Sequence, residues 1–299
     1  MILLEVVLPL LVLMGLGFLL GRLRHTDPQP LSDVTLYILL PILLFTSLVH
    51  HLPSGMQAVQ LFAWYFGLVF LLWLVIALIA YLAAWERVTR SAVLLGLTGF
   101  NMASYGLPVA LFALGEHSLS IIMILVVASN IHMATFGVYI AASGQQEKGR
   151  ALASVFKMPL IHAIWLALLV HALDLTLPAR LLSLAEMVGR AAPPLGMIVL
   201  GIQISAIPLR SSEGMAVLYG GAISKIFIVP VLGILFALSL STEDLIRDTL
   251  LLGACLPTAI NFLLLSVRFD VRPDLVGGIL FLSTLISPFT IALVLWFID

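Results

Sequence analysis

The chain has 299 residues, of which 62% are hydrophobic and only 10% are charged, and its mean hydropathy is +1.19. A soluble fold could not cover that much apolar surface with so few charges, so the composition indicates a polytopic protein of the lipid bilayer. The net charge of −1 gives no electrostatic reason to expect a nucleic-acid partner. The single cysteine, Cys255, excludes an intrachain disulfide and a thiolate metal cluster, and no cofactor or metal is expected.

Ten segments approach the length of about 20 apolar residues that a spanning helix needs. The first has no basic residues before its apolar run, so we predict a helix and not a cleaved signal peptide. The connections are short, which excludes an inserted soluble domain. The predicted segments are 2–22, 31–50, 58–84, 91–114, 118–142, 152–173, 181–207, 215–239, 245–267 and 275–297.

The distribution of Lys and Arg predicts the orientation, because cytoplasmic loops carry an excess of both. Alternate loops hold ten of these residues on one side and two on the other. The basic side is therefore predicted to be cytoplasmic, which leaves both termini outside the cell. The ten are Arg22, Arg24, Arg87, Arg90, Lys148, Arg150, Lys157, Arg210, Arg268 and Arg272, and the two are Arg180 and Arg247.

The two halves of the chain repeat each other. Leu31–Pro41 and Leu184–Pro194 both place a leucine ten residues before a proline inside a segment. We predict one five-helix repeat at 1–142, a cytoplasmic hinge loop at 143–150 and a second repeat at 151–299. Five is an odd number, so the second repeat must enter the membrane from the opposite face. Substrate sites of such inverted repeats lie near the midplane, at the repeat interface.

Polar residues interrupt the fourth segment of each repeat, in Gly96–Gly115 and Gly253–Ser266. Proline lacks a backbone donor and clashes with the preceding turn, so we expect a break or kink near Pro108, and a second break at Pro257. Lipid cannot satisfy the backbone groups that a break frees, so these must face protein, water or a ligand. Paired interruptions of this kind are typical of a transporter binding site.

Several motifs, in order, resemble the auxin efflux carrier family in its bacterial form, which includes malonate and other organic-acid transporters related to the plant PIN auxin exporters. The resemblance covers nearly the whole chain. Its residues are LYILLPILLF, NMASYGLP, KMPLIHAIW, PPLGMIVLG, KIFIVPVLG and LPTAINFLLLSVRFDVRPD.

The resemblance implies a scaffold made of the first two helices of each repeat and a mobile transport part made of the last three. In this arrangement the broken helices cross beside the substrate. Asn101 and Pro108 match the asparagine and the crossing proline of the plant exporters. Pro257 matches a proline of the partner helix. The chain has Asn261–Phe262 where the plant proteins carry a second proline, and it lacks their long cytoplasmic loop. The resemblance also implies a homodimer through the scaffold and the bacterial inner membrane as the location.

Amide and hydroxyl side chains near the breaks are the candidate substrate ligands. The carboxamide of Asn101 offers donors to an anion without a counter-charge, or it bonds two helices within the bundle. Asn130, in the fifth segment, is expected to face the crossing, whereas the neighbouring His132 is a proton carrier or a packed side chain. The same alternatives, substrate ligand or packing, apply to Ser104, Tyr105, Thr258 and Asn261.

Three of the charged residues within predicted segments bear on function or packing. Two alternatives are open for Lys225. It is expected either to attract an anionic substrate or change protonation during transport, or to extend to the cytoplasmic interface. Glu186 and Arg190 are four residues apart and are expected to form an ion pair near the outer end of the seventh segment.

The fold class expected from these features is an all-α polytopic membrane protein with ten transmembrane helices in two inverted repeats and crossed broken helices 4 and 9. The expected function is secondary transport of small carboxylates by alternating access, with proton, voltage or sodium coupling left open. An anion channel and a membrane-embedded sensor or scaffold without transport are the alternatives. No nucleotide-binding or hydrolase motif is present, so an enzyme is not expected.

Overall fold

The computed structural model describes residues 8–50, 55–115, 117–206, 215–240 and 243–298. Within these ranges the regular structure is entirely helical. The α-helices are α1 Leu8–Arg24, α2 Gln29–Val34, α3 Leu40–His50, α4 Gly55–Leu82, α5 Arg87–Thr98, α6 Leu107–Leu114, α7 Ser118–His132, α8 Val138–Gln145, α9 Lys148–Lys157, α10 Pro159–Ala172, α11 Ala179–Gly189, α12 Ala192–Ala206, α13 Met215–Ile223, α14 Val229–Ser239, α15 Asp244–Ala254, α16 Ile260–Arg268 and α17 Pro273–Ile298.

Single π-helical turns join four pairs of these helices, at Thr35–Leu39, Met102–Gly106, Met133–Gly137 and Ser224–Ile228. Three of the turns are followed two residues later by a proline, namely Pro41, Pro108 and Pro230. A proline ring clashes with the carbonyl four residues before it in a regular α-helix. A π-turn adds one residue to the preceding turn and moves that carbonyl, so the chain accommodates the proline and continues as a helix.

Several helices are long and apolar enough to span a bilayer, as the composition predicts. Among the described residues six helices meet that test, and a seventh span is formed if α9 and α10 are counted together across their bend of 56°. The protein is therefore an all-helical polytopic membrane protein. The fourth and ninth predicted segments fall outside the test because each is divided into two short helices. The fourth is divided into α5 and α6, and the ninth into α15 and α16.

The sixth predicted segment begins later than expected. Its predicted start at 152 lies inside α9, and the apolar helix α10 begins only at Pro159. A residue before proline avoids the helical conformation, and Met158 accordingly has φ −79° and ψ 133°. The segment 143–150, predicted to be a loop, is mostly helical, because α8 extends to Gln145 and α9 starts at Lys148.

Glycine residues bring α1 and α12 into close contact. A side chain at Gly17 would overlap the carbonyl of Ile198, and one at Gly201 would overlap the carbonyl of Met14. Small residues allow membrane helices to approach until their backbones touch. In the same part of the molecule α3 packs against α10 and α11. Helices α3 and α11 form one wall of the cavity described below.

The remaining helices surround the two divided segments. Helix α4 contacts α5, α7 and α14, while α17 contacts α5, α13 and α16. The divided segments are mostly enclosed, since every residue from Ser91 to Asn101 and from Thr249 to Ile260 is buried. Protein therefore covers both interruptions, as the need to satisfy their backbone groups requires.

Candidate substrate site at two interrupted helices

The first interruption lies at Gly99–Asn101, seven residues or more before Pro108. The prediction that Pro108 makes the break is wrong in its position. Pro108 lies in the first turn of α6, where its missing donor is not needed, and the π-turn Met102–Gly106 precedes it. Helix α5 ends instead where Gly99 adopts an extended conformation, with φ −77° and ψ 120°.

The second interruption covers Cys255–Ala259, with Pro257 at its centre. The two interruptions are bonded to each other. The backbone N–H of Asn101 donates to the carbonyl of Pro257 at 2.9 Å, and Thr258 Oγ1 donates to the carbonyl of Gly96 at 2.6 Å. The backbone N–H of Thr258 donates in turn to Ser283 Oγ on α17 at 3.2 Å. Pro257 and Thr258 are thus brought together with Asn101, as the sequence predicts for the two stretches.

Lys225 lies against the first interruption and is only 2% exposed. Its Nζ donates to the carbonyls of Leu97 and Gly99, at 3.1 and 2.9 Å, and lies 3.7 Å from the centre of the Phe100 ring. The last carbonyls of a helix carry partial negative charge and lack intrahelical donors. Lys225 Nζ therefore caps the end of α5, and the side chain does not extend to the membrane interface.

The other carbonyls of the first interruption also have donors. Ser129 Oγ on α7 donates to the carbonyl of Phe100 at 3.2 Å, and the N–H of Gly106 donates to the carbonyl of Asn101 at 2.9 Å. Sequence reasoning missed Ser129 and selected its neighbour Asn130. The amphipathic period of a mostly buried helix such as α7 is weak. The sequence therefore carried little signal for whether Ser129 or Asn130 points toward the interruption.

An aromatic cluster fills the space between the first interruption and α16. His132 is fully buried, its ring lies 5.1 Å from that of Phe262, and its Nδ1 is 3.1 Å from the Tyr65 hydroxyl. A side chain at Gly99 would overlap the Phe262 ring. The structure thus places His132 in a packed cluster, which is one of the two roles expected for it.

A cavity of about 560 Å³ lies beside the first interruption, on the predicted outer side. Asn130 forms part of its wall, as do Ala103 in the π-turn and Leu107 in α6. The opposite wall comes from α3 and from α11 with Arg190, the residue that follows it. The complete lining is Leu43, Thr46, Ser47, His50, Ala103, Leu107, Met123, Val126, Asn130, Glu186 and Arg190. We refer to it as the outer cavity.

Charged groups of the outer cavity form a small network. The carboxylate of Glu186 contacts His50 Nε2 at 2.7 Å and Arg190 at 3.5 Å. The second of these is the ion pair predicted from the four-residue spacing. His50 lies 136 residues from Glu186 in the chain, so only the packing of α3 against α11 brings it there. Arg190 remains 77% exposed.

The other predicted site residues lie in different places. Tyr105 is fully buried and its hydroxyl accepts a hydrogen bond from Ser287 at 3.0 Å. Asn101 is buried at the interruption itself, and Asn261 is partly buried in the first turn of α16. The side chains of Ser104 and Pro108 lie outside the described residues. In the described part of the chain, no three His, Cys, Asp or Glu side chains form a possible metal site.

Comparison with known proteins identifies the family. A family model described as "Membrane transport protein" matches residues 2–295. The chain belongs to this family, the auxin efflux carrier family. This confirms the resemblance predicted from the sequence motifs, and the protein is a multi-pass membrane transport protein.

Two archaeal relatives match along almost their entire length. An uncharacterized transporter of Methanothermobacter thermautotrophicus is 27% identical over 299 residues, which cover 98% of this chain and 96% of the relative. An uncharacterized transporter of Methanocaldococcus jannaschii is 25% identical over 312 residues, with 99% of each chain covered.

Proposed function

We propose that the chain is a secondary transporter of small organic anions that works by alternating access. The observation that carries this proposal is the outer cavity, which reaches the π-turn after the first interruption at Ala103 and is lined by Asn130. A pocket that ends on an interrupted helix near the midplane is the arrangement that binds substrate in transporters with inverted repeats.

The chemistry of the site suits a carboxylate. The helical stretch that begins at Met102 directs its N-terminal end, with partial positive charge, toward the interruption. The amides of Asn130 and Asn101 supply neutral donors for the same anion. Lys225 donates to the carbonyl of Gly99 behind the break, and we propose that its ammonium form offers a substrate anion a favourable potential without bonding to it. Pro257 and Thr258 hold the crossing together.

Helix contacts support two inverted five-helix repeats, 1–142 and 151–299, joined by 143–150. In such a pair, a contact between the first span of one repeat and the second span of the other has a symmetric counterpart. The first span, α1, packs on α12 of the seventh, and the sixth span, α10, packs on α3 of the second. The third and eighth spans, α4 and α14, pack on each other, as spans close to a symmetry axis would. We propose that the protein crosses the cytoplasmic membrane of a bacterium ten times, with both termini on the extracytoplasmic side.

The walls of the outer cavity support alternating access. One wall, from α3 and α11, belongs to the proposed scaffold, while the other, from the π-turn, α6 and α7, belongs to the proposed transport part. A movement of one wall against the other would close the outer cavity. A second cavity at the predicted cytoplasmic side shares no lining residue with it. A channel would instead need one continuous polar path.

The test is a panel of radiolabelled mono- and dicarboxylates in proteoliposomes that contain the purified protein. We expect saturable uptake of at least one small carboxylate, and imposed pH, sodium and voltage gradients separate proton, sodium and voltage coupling. Uptake that rises linearly with concentration would indicate a channel. No uptake of any carboxylate, with the protein folded, would favour a sensor or scaffold.

A further inference from the structure

A second cavity, of about 440 Å³, lies at the predicted cytoplasmic side of the protein. It is formed by the π-turn of the second span, the junction between α8 and α9, helix α9 itself and the end of α16. Its polar lining consists of Tyr37, Gln146, Arg150, Ser154, Lys157 and Arg268. We refer to it as the inner cavity. Three of its six polar residues are cationic and none is acidic.

The positive charge of the inner cavity is only partly balanced. Arg268 donates to the Tyr37 hydroxyl at 2.9 Å and lies 3.6 Å from Asp33. Within the described residues, Arg150 and Lys157 form no salt bridge. Arg272, on the same predicted side, is different because Asp274 binds it at 2.9 Å and raises the pKa of its guanidinium. The inner cavity therefore has free cationic groups that an anion can bind.

Helix α9 also presents an apolar surface, on the face opposite these cations. Leu152 and Phe156 are 55% and 58% exposed and lie four residues apart, on one face. Arg150, Ser154 and Lys157 follow the same helical spacing on the face that lines the inner cavity. The bend of 56° between α9 and α10 turns α9 away from the direction of the span. Basic amphipathic helices of this kind lie in the membrane interface, with apolar side chains among the acyl chains.

We propose that the inner cavity binds the phosphate of an anionic phospholipid of the cytoplasmic leaflet. Arg150 and Lys157 contact the phosphate, while Leu152 and Phe156, on the opposite face of α9, lie among the acyl chains of the leaflet. A free phosphate ion would satisfy the cations equally well, but the apolar face and the bend of α9 hold these cations at the membrane interface, where lipid phosphates are concentrated. The proposal rests on the membrane orientation of the proposed function and not on its substrate. Bound lipid would connect α9, at the junction of the two repeats, to Arg268 at the end of α16.

The experiment measures thermal stability of the purified full chain in neutral detergent with increasing phosphatidylglycerol, phosphatidylcholine or inorganic phosphate. Phosphatidylglycerol is expected to raise the Tm saturably, and the other two are not. In the double variant Arg150→Gln/Lys157→Gln, the half-saturating concentration should rise at least about tenfold, since two cationic contacts are lost. The matched control Arg24→Gln/Arg87→Gln removes two exposed cations that do not line the inner cavity and should respond like the wild type.

Three results would overturn the proposal. An equal effect of phosphatidylcholine would show that any lipid stabilises the protein. An equal effect of inorganic phosphate would identify a site for a soluble anion. An equal loss in the control variant would show that total charge, and not the inner cavity, attracts the lipid. If the double variant does not fold, native mass spectrometry of the wild type in mixtures of the two lipids tests the same point: retention of phosphatidylglycerol over phosphatidylcholine supports the proposal, and equal retention overturns it. None of these measurements depends on carboxylate transport.

Discussion

The two interruptions have similar backbones but different surroundings. At the first, Gly99–Asn101, a buried lysine caps the preceding helix, and the following residues line the outer cavity. At the second, Cys255–Ala259, no charged side chain is bonded in the described structure, and α15 and α16 supply no residue to the outer cavity. The indole of Trp64 on α4 faces Gly253 in the last turn of α15 and donates to the carbonyl of Gly233.

This difference indicates a division of roles. In the second half, Lys225 approaches the carbonyl end of α5, while in the first half Trp64 approaches the end of α15 with an apolar ring. Among the described residues, only the first interruption combines a buried lysine with an adjacent cavity. The first interruption is therefore expected to act on the substrate, and the second is expected to support it.

Replacing Lys225 should give the largest effect. Lys225→Met leaves the carbonyls of Leu97 and Gly99 without a donor in a buried environment. Each unsatisfied group costs about 1–3 kcal/mol, so we expect a clear fall in Tm and loss of transport. The comparison variant Trp64→Phe removes one bond, to Gly233, and should lower the Tm much less. An equal fall in Tm for the two variants would mean that the buried lysine at the first interruption matters no more than the tryptophan beside the second.

Thr258→Val should have an intermediate effect on stability. It removes the hydroxyl that joins the second interruption to the carbonyl of Gly96 in the last turn of α5, and it keeps the side-chain shape. We expect a loss of about 1–2 kcal/mol in the free energy of unfolding, measured by denaturant titration in detergent. Thr290→Val is the control, because that hydroxyl bonds only within α17, to Ser287. A control variant as unstable as Thr258→Val would argue against a bonded crossing.

Asn130→Ala should affect binding and leave stability nearly unchanged. The amide lies in the wall of the outer cavity, and loss of one hydrogen bond to a charged ligand corresponds to about a tenfold rise in KM. The measurement is the concentration dependence of carboxylate uptake. Ser129→Ala provides the contrast, since Ser129 bonds the Phe100 carbonyl and should change Tm more than KM. The opposite pattern would assign the substrate to the other face of α7.

Glu186→Gln should give the smallest effect. The carboxylate and its partners His50 and Arg190 are all partly exposed, and exposed ion pairs contribute at most about 1 kcal/mol. We expect a Tm close to that of the wild type in thermal unfolding. A large decrease would show that the network holds α3 and α11 together.

The sequence was sufficient to predict the all-helical membrane fold and both interrupted stretches, and it placed Lys225 within a span but left open whether the side chain extends to the interface. The hydrophobic length and the polar residues at mid-segment carried those predictions. The break near Pro108 was misplaced because a π-turn accommodates proline and leaves the break to Gly99–Asn101. The start of α10 at Pro159 was missed, although the residue before a proline is known to avoid the helix.

Contacts between distant residues were beyond the sequence. Nothing in the spacing indicates that Lys225 reaches the carbonyls of Leu97 and Gly99, or that His50 meets Glu186. The face that Asn130 presents was also undetermined, because most of α7 is apolar and buried on every side. Such contacts depend on how the helices pack, which a single sequence with a weak helical period does not specify.

The most direct test of the proposed role of the first interruption compares Asn101→Ala with Asn261→Ala in carboxylate counterflow. The bond from Asn101 to Pro257 uses the backbone, so the alanine variant retains that bond of the crossing. With malonate, or with the carboxylate found in the substrate panel, we predict at least a tenfold fall in the initial rate for Asn101→Ala, equivalent to about 1.4 kcal/mol. Asn261→Ala should retain most of the wild-type rate. An unchanged rate for Asn101→Ala, or an equal loss in both variants, would contradict the assignment of the substrate to the first interruption.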